Sequence, residues 1–107
     1  MGGHFVYGHV DTTAKVLARS PEGRGERMRV ERPASIAFAI VEKAFIAVDG
    51  VSLTVAAAGD GWFEIALIPE TLARTTLGAR TAGSRVNLEA DPLARYVAAA
   101  LRAGAVT

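Results

Sequence analysis

"FIAVDGVSLTVAAAGDGWFEIALIP", Phe45 to Pro69, decides the fold. Asp49-Gly50 and Asp60-Gly61 are turn dipeptides set between runs rich in β-branched and aromatic residues. That combination is a strong short-range signal for hairpins. Between the turns, Val51, Leu53 and Val55 alternate with Ser52 and Thr54. Successive side chains of a strand point to opposite faces, so the aliphatic residues share one face and the two hydroxyls the other. Trp62 to Ile68 then pairs back as the next strand.

The flanking sequence extends this pattern. "HFVYGHVDTTAKVLAR", His4 to Arg19, reads as extended chain, with Gly8 as a bulge. "SPEGRGER", Ser20 to Arg27, is a polar turn, and "MRVERP" is a half-buried strand ended by Pro33. In "ASIAFAIVEKAF", Ile36, Ile40 and Val41 form a stripe at helical spacing after a proline, which predicts a short helix. Pro69 opens a second helical stretch, "PETLARTTLG", closed by Gly78. "SRVNLEA" is a last strand. "DPLARYVAAALRAG" predicts a C-terminal helix over about residues 91–103, with Asp91 as N-cap, Pro92 in the first position and Gly104 as the stop. Leu93, Val97, Ala100 and Leu101 fall on one face of it. Five or six short strands with brief helices predict an all-β fold, a small antiparallel barrel.

The chain has 107 residues, the size of one domain, and shows no internal repeat, low-complexity tract or linker. Half the residues are hydrophobic and the formal net charge is +1, so nothing global directs the chain to nucleic acid or membrane. The absence of cysteine excludes a disulfide framework and a thiolate metal site. No apolar run approaches the roughly 18 residues of a membrane helix, and no basic segment leads into an apolar run as in a secretory signal. A soluble, cytoplasmic domain is expected.

His4 and His9 are the only histidines, five residues apart. On a strand they face opposite sides and on a helix they diverge, so they do not form a metal pair; no metal site is expected. In "VDGVSLTV" the hydroxyl face of Ser52 and Thr54 either faces water or lines a pocket for a polar ring or polyol. Lys43 and Asp49 flank an apolar strand, either as solvated charges or as an acid–base pair across a pocket. Glycine spacing fits neither a dinucleotide nor a P-loop motif. The Arg19–Arg32 region interleaves its arginines with Glu22, Glu26 and Glu31, the pattern of a solvated hairpin.

Five ordered stretches add a resemblance. "GGHFVYGHVD", "AVDGVSLTV", "LIPETLARTTLG", the "VNLEAD" run ending at Asp91 and "ARYV" resemble the riboflavin synthase family, and within it the second of two lumazine-binding repeats. The resemblance covers nearly the whole chain, residues 1–107, as a single lumazine-binding barrel. It implies a six-stranded antiparallel Greek-key barrel with short helices and a C-terminal helix used in assembly. The implied reaction is dismutation of two 6,7-dimethyl-8-ribityllumazine molecules by transfer of a four-carbon unit, giving riboflavin and 5-amino-6-ribitylamino-uracil without a cofactor.

Carried over by position, the family's catalytic residues fall on His4, His9, Lys43, Asp49 and Asp91. Its substrate-binding positions fall on Ser52, Thr54, Ala66, Ile68 and Thr71. Such a substrate needs an apolar slot with hydroxyl partners, and holding two copies face to face lowers the entropic barrier. Imidazole and carboxylate groups at the slot's edge suit the proton transfers. Tyr7 and Ala44 depart from the family's usual Ser and Gly. Only one repeat is present, and Met1 falls at the expected repeat junction. The expected partners are the lumazine, riboflavin and further copies of the chain: a dimer of barrels, or a trimer if the barrel is part of a two-repeat chain. The alternative is a non-catalytic lumazine- or flavin-binding module.

Overall fold

A computed structural model describes residues 9–102. Six strands close into one barrel: β1 (Thr12–Glu22), β2 (Gly25–Glu31), β3 (Phe45–Val48), β4 (Val51–Gly59), β5 (Trp62–Leu67) and β6 (Arg85–Ala90). Around the barrel the order is β1-β2-β5-β4-β3-β6, and the pairings are antiparallel throughout. This is the predicted all-β Greek-key barrel, and the alternation in β4 is as read: Val55 is buried, Val51 and Leu53 pack against the core, and Thr54 is exposed.

Closure depends on two corners. β1 pairs with β6 through Thr12–Lys15 and with β2 from Val16 onward; its pairing shifts between Val16 and Ala18. β4 pairs with β3 through Val51–Thr54 and with β5 from Val55 onward; its pairing shifts between Val55 and Ala57. A bulge bends a strand and raises its twist. Each bulge therefore sits where one strand leaves one sheet and enters the other.

The interior is filled by inward cross-strand pairs: Ala14 with Val86, Val30 with Phe63, Met28 with Ile65, and Val48 with Leu88. All eight are buried. A six-strand barrel filled this way is a solid core, so any ligand surface must lie on its outside.

Several sequence expectations are corrected. The β1–β2 connection is only Gly23–Arg24, because cross-strand pairing continues through Pro21 and Glu22. The stretch after Pro33 forms only a 3-10 helix, Ala34–Ala39. Helix α1 (Pro69–Arg74) stops before Gly78, and a separate 3-10 turn spans Thr76–Ala79. Gly78 lies within that turn and permits a close approach: a Cβ there would sit 2.1 Å from the Leu72 carbonyl oxygen. Strand β1 begins at Thr12, while His4, Tyr7, Gly8 and Gly104 lie outside the described residues. Helix α2 (Pro92–Arg102) forms as expected, with the Asp91 carboxylate accepting the Leu93 N–H at its start. Its apolar stripe is exposed in the isolated chain; Leu93, Val97 and Leu101 lie open with Tyr96, which is 72% exposed.

Gly78→Ala should cost about 1–3 kcal/mol, because the added methyl overlaps a backbone oxygen that cannot move without unseating Leu72. A urea titration followed by tryptophan fluorescence measures the loss.

Candidate functional site on the outer face of the barrel

Alternation places Ser52 and Thr54 of β4 and Ala66 of β5 on the outward side, opposite Val55, Ile65 and Leu67. Ser52 pairs with Ala47, Thr54 with Phe45, and Ala66 with Arg27. The outward side therefore presents the small side chains of Thr54 and Ala66, with Phe45 of β3 beside Thr54 and Arg27 of β2 beside Ala66. Ile68, 59% exposed, continues it at the end of β5. Thr71 follows on α1, where its carbonyl accepts the Thr75 N–H and hydroxyl. Ala66, Ile68 and Thr71 thus follow one another from β5 into α1, while Ser52 and Thr54 share the outward side of β4. On the flank, Glu22 raises the proton affinity of the Arg27 guanidinium through a hydrogen bond, with Glu64 adding to it, so Arg27 stays charged.

Lys43 stands at the edge of this face. Its backbone has φ +73°, a left-handed conformation that a non-glycine residue adopts at a cost of roughly 1–2 kcal/mol. The conformation is held by two backbone bonds, Lys43 N–H to the Val55 carbonyl and Val55 N–H to the Ala44 carbonyl, both 2.8 Å. The side chain is exposed and has no partner among the described residues. The left-handed turn at Lys43 thus joins the chain before β3 to the middle of β4 and leaves the ammonium open to solvent.

Asp49 is placed differently. It occupies the two-residue β3–β4 turn with Gly50, both at positive φ (+48° and +79°). Its side chain is 6% exposed. One carboxylate oxygen accepts the Asn87 N–H at 2.8 Å; the other accepts the Arg80 Nε–H at 2.8 Å and the Thr76 hydroxyl at 3.4 Å. The carboxylate is a joint between β3, β6 and the Thr76–Ala79 turn. Lys43 and Asp49 therefore do not pair across a pocket. They lie at opposite ends of β3, whose four residues rise about 13 Å.

Asp91 and His9 belong with Lys43. β3 pairs Ile46 with Ala90, so Asp91 follows at the Phe45 end. Asp11 accepts the Ala90 N–H at 2.7 Å and pairs with Arg95 of α2 at 2.5 Å. That anchor fixes the chain two residues after His9, which is exposed. His4 lies outside the described residues.

With this geometry in place, comparison with known proteins identifies the family. The lumazine binding domain model matches residues 7–91. The chain belongs to the lumazine-binding domain family. Riboflavin synthase of Mycobacterium tuberculosis (strain H37Rv) is 50% identical over 105 residues, which are 95% of this chain and 52% of that protein. Riboflavin synthase of Brucella abortus (strain 2308) is 45% identical over 98 residues, 92% of this chain and 48% of that protein. The chain spans about half the length of these relatives. Among solved structures, LumP complexed with 6,7-dimethyl-8-(1'-D-ribityl)lumazine and LumP complexed with riboflavin each superpose with a TM-score of 0.77 at 23% identity, over 84% of this chain. They cover 51% and 49% of those chains, respectively, and show the shared barrel fold.

Within this lumazine-binding barrel, sequence reasoning missed the residues that hold the face in place. Asp11 and Arg95 pin the entry to β1, and Arg80 pins Asp49. Arg19 was read as part of a solvated hairpin, yet its side chain is only 18% exposed and its guanidinium turns to the Leu77, Gly78 and Arg80 carbonyls. No local sequence signal marks these joints; the bulge in β1, which changes the facing of residues beyond Val16, shows only in the pairing. Among the described residues no cluster of three or more His, Asp or Glu is arranged to hold a metal, and no helix is long and apolar enough to cross a membrane.

Lys43→Gly should stabilise the barrel by about 0.5–1 kcal/mol, since glycine adopts φ +73° without strain. Thermal melts of the two proteins measure the gain.

Proposed function

We propose that this chain supplies one substrate pocket of a riboflavin synthase. Two 6,7-dimethyl-8-ribityllumazine molecules exchange a four-carbon unit to give riboflavin and 5-amino-6-ribitylamino-uracil. The carrying observation is the 50% identity to a riboflavin synthase along 95% of the chain. The geometry supplies the rest of the reading. A flat bicyclic ring lies on the small-residue floor of Thr54 and Ala66, with Ile68 against its edge. Ser52, Thr54 and Thr71 offer hydroxyls to the ring and the ribityl chain.

The proton transfers are assigned to the Lys43, His9 and Asp91 positions, together with His4, which enters from the family resemblance alone and lies outside the described residues. An exposed imidazole near neutral pH can give or take a proton. Lys43 brings positive charge to the electron-rich intermediate. Asp49 is committed to its joint and Asp91 to the start of α2, so their contribution is to hold the turn and the helix that frame the pocket. Two substrates must be held in contact, and one barrel offers one such face. Catalysis therefore requires a second barrel, either from another copy of this chain in a two-fold dimer or from the two-repeat arrangement in a trimer.

A second reading has its own support. The LumP structures that share this fold are complexed with 6,7-dimethyl-8-(1'-D-ribityl)lumazine and with riboflavin. A single barrel that binds ligand without turning it over is a lumazine- or flavin-binding module.

Riboflavin fluorescence should be quenched on titration with the chain. Ala66→Trp should abolish the quenching while changing stability by no more than about 0.5 kcal/mol, because the position is exposed. Sedimentation combined with a lumazine turnover assay separates the two readings. Riboflavin formed by a dimer supports the synthase, and a ligand-bound monomer that forms none supports the module.

A further inference from the structure

The segment Pro69–Arg80 is a non-strand wall of the proposed pocket. It leaves β5, carries Thr71, and returns to β6 through the Thr76–Ala79 turn. Its apolar anchors are Leu77, fully buried, and Leu72, half-buried against the core. The last carbonyls of a short 3-10 turn find few partners within it; here the Leu77 carbonyl accepts the Arg80 N–H at 3.3 Å. One arginine serves the carbonyls at this end, and a second fastens the turn to the β3–β4 turn.

Arg19 comes from β1. Its Nη1 donates to the Leu77 carbonyl at 3.4 Å, to the Gly78 carbonyl at 3.1 Å and to the Arg80 carbonyl. Its Nη2 pairs with Glu26 of β2, which holds the guanidinium in this orientation. Arg80 comes from the segment itself. Its Nε–H reaches Asp49 at 2.8 Å, so the segment is fastened to the β3–β4 turn as well.

We propose that Arg19 and Arg80 are positioning residues for ligand binding: together they clamp the Pro69–Arg80 segment so that Thr71 and Ile68 form a fixed wall. The clamp acts at the end of the segment away from Thr71, so neither arginine touches the ligand. This proposal rests on the pocket assigned above. A loosened wall lowers affinity by the fraction of time it is out of place. Lysine cannot substitute for Arg19, because one ammonium lacks the planar fork that reaches the carbonyls and the carboxylate at once.

The test is a riboflavin titration of the full chain, with amide hydrogen exchange of the ligand-free chain as a second readout. Arg19→Met and Arg80→Met should each weaken riboflavin binding at least tenfold and speed exchange across Thr71–Arg80. Arg19→Lys should restore less than half of the lost affinity. Arg32→Met serves as the matched control, since Arg32 grips the Gly59 and Ala37 carbonyls elsewhere on the barrel. It should leave both readouts within twofold. Unchanged affinity in both clamp variants overturns the proposal, as does equal weakening by Arg32→Met. Arg80, 37% exposed, keeps the test open if Arg19→Met does not fold. A wild-type chain that fails to bind riboflavin rejects the pocket reading. Exchange then decides the clamp alone: faster exchange confined to Thr71–Arg80 sustains it, and unaltered exchange overturns it.

Discussion

A sheet of six strands can close on itself only if some strands turn the corner between its two halves. In this chain β1 and β4 do so, each at a single irregular step, Val16 to Ala18 and Val55 to Ala57. Everything else follows from those two steps. They bring the first half of β1 to β6 and the second half to β2, and they divide β4 between β3 and β5. Were either strand straight, one seam would remain open, with unpaired amides and carbonyls along it.

Closure also decides where chemistry can occur. Phe63, Met28, Ile65 and Leu88 occupy the interior, leaving no room for a ring and a polyol. The outside of the barrel is what remains for a ligand, and the proposed pocket uses alternate residues of β4 and β5 there. Small side chains at Thr54 and Ala66 keep that surface low. The non-strand segments around it supply height on one side and charge on the other. Surface elements of this kind carry less packing of their own than the barrel beneath them. That is why the arginine and aspartate joints at Arg19, Arg80, Asp49 and Asp11 gather around the non-strand segments and not in the core.

Local chemistry made much of this legible in the sequence. The Asp-Gly dipeptides and the alternation of Val51, Leu53 and Val55 specified two hairpins and their facing, because both signals arise within a few residues. Asp91 and Pro92 announced the start of α2 for the same reason. The misreadings have physical causes. Glycine can end a helix or admit a close neighbour, and only the position of Leu72 shows which task Gly78 performs. Arg19 lies among acidic residues that suggested solvent, but the carbonyls it serves are about sixty positions away in sequence. Asp49 looked like a reactive carboxylate until Asn87 and Arg80, also distant in sequence, were seen to occupy it. The common facing of Ser52 and Thr54 was readable from period two; the joints around the barrel are long-range and were not. The corners at Leu17 and Ala56 likewise show only in the strand pairing.

A closed barrel leaves no strand with a free backbone edge. Two such barrels can therefore be joined end to end on one polypeptide, at very high local concentration, without trading strands or zipping together through main-chain bonds. Each would remain a sealed unit, so any contact between them would be left to side chains and to elements outside the strands. A fold with this property tolerates duplication, since a second copy adds a neighbour without adding a competitor for pairing.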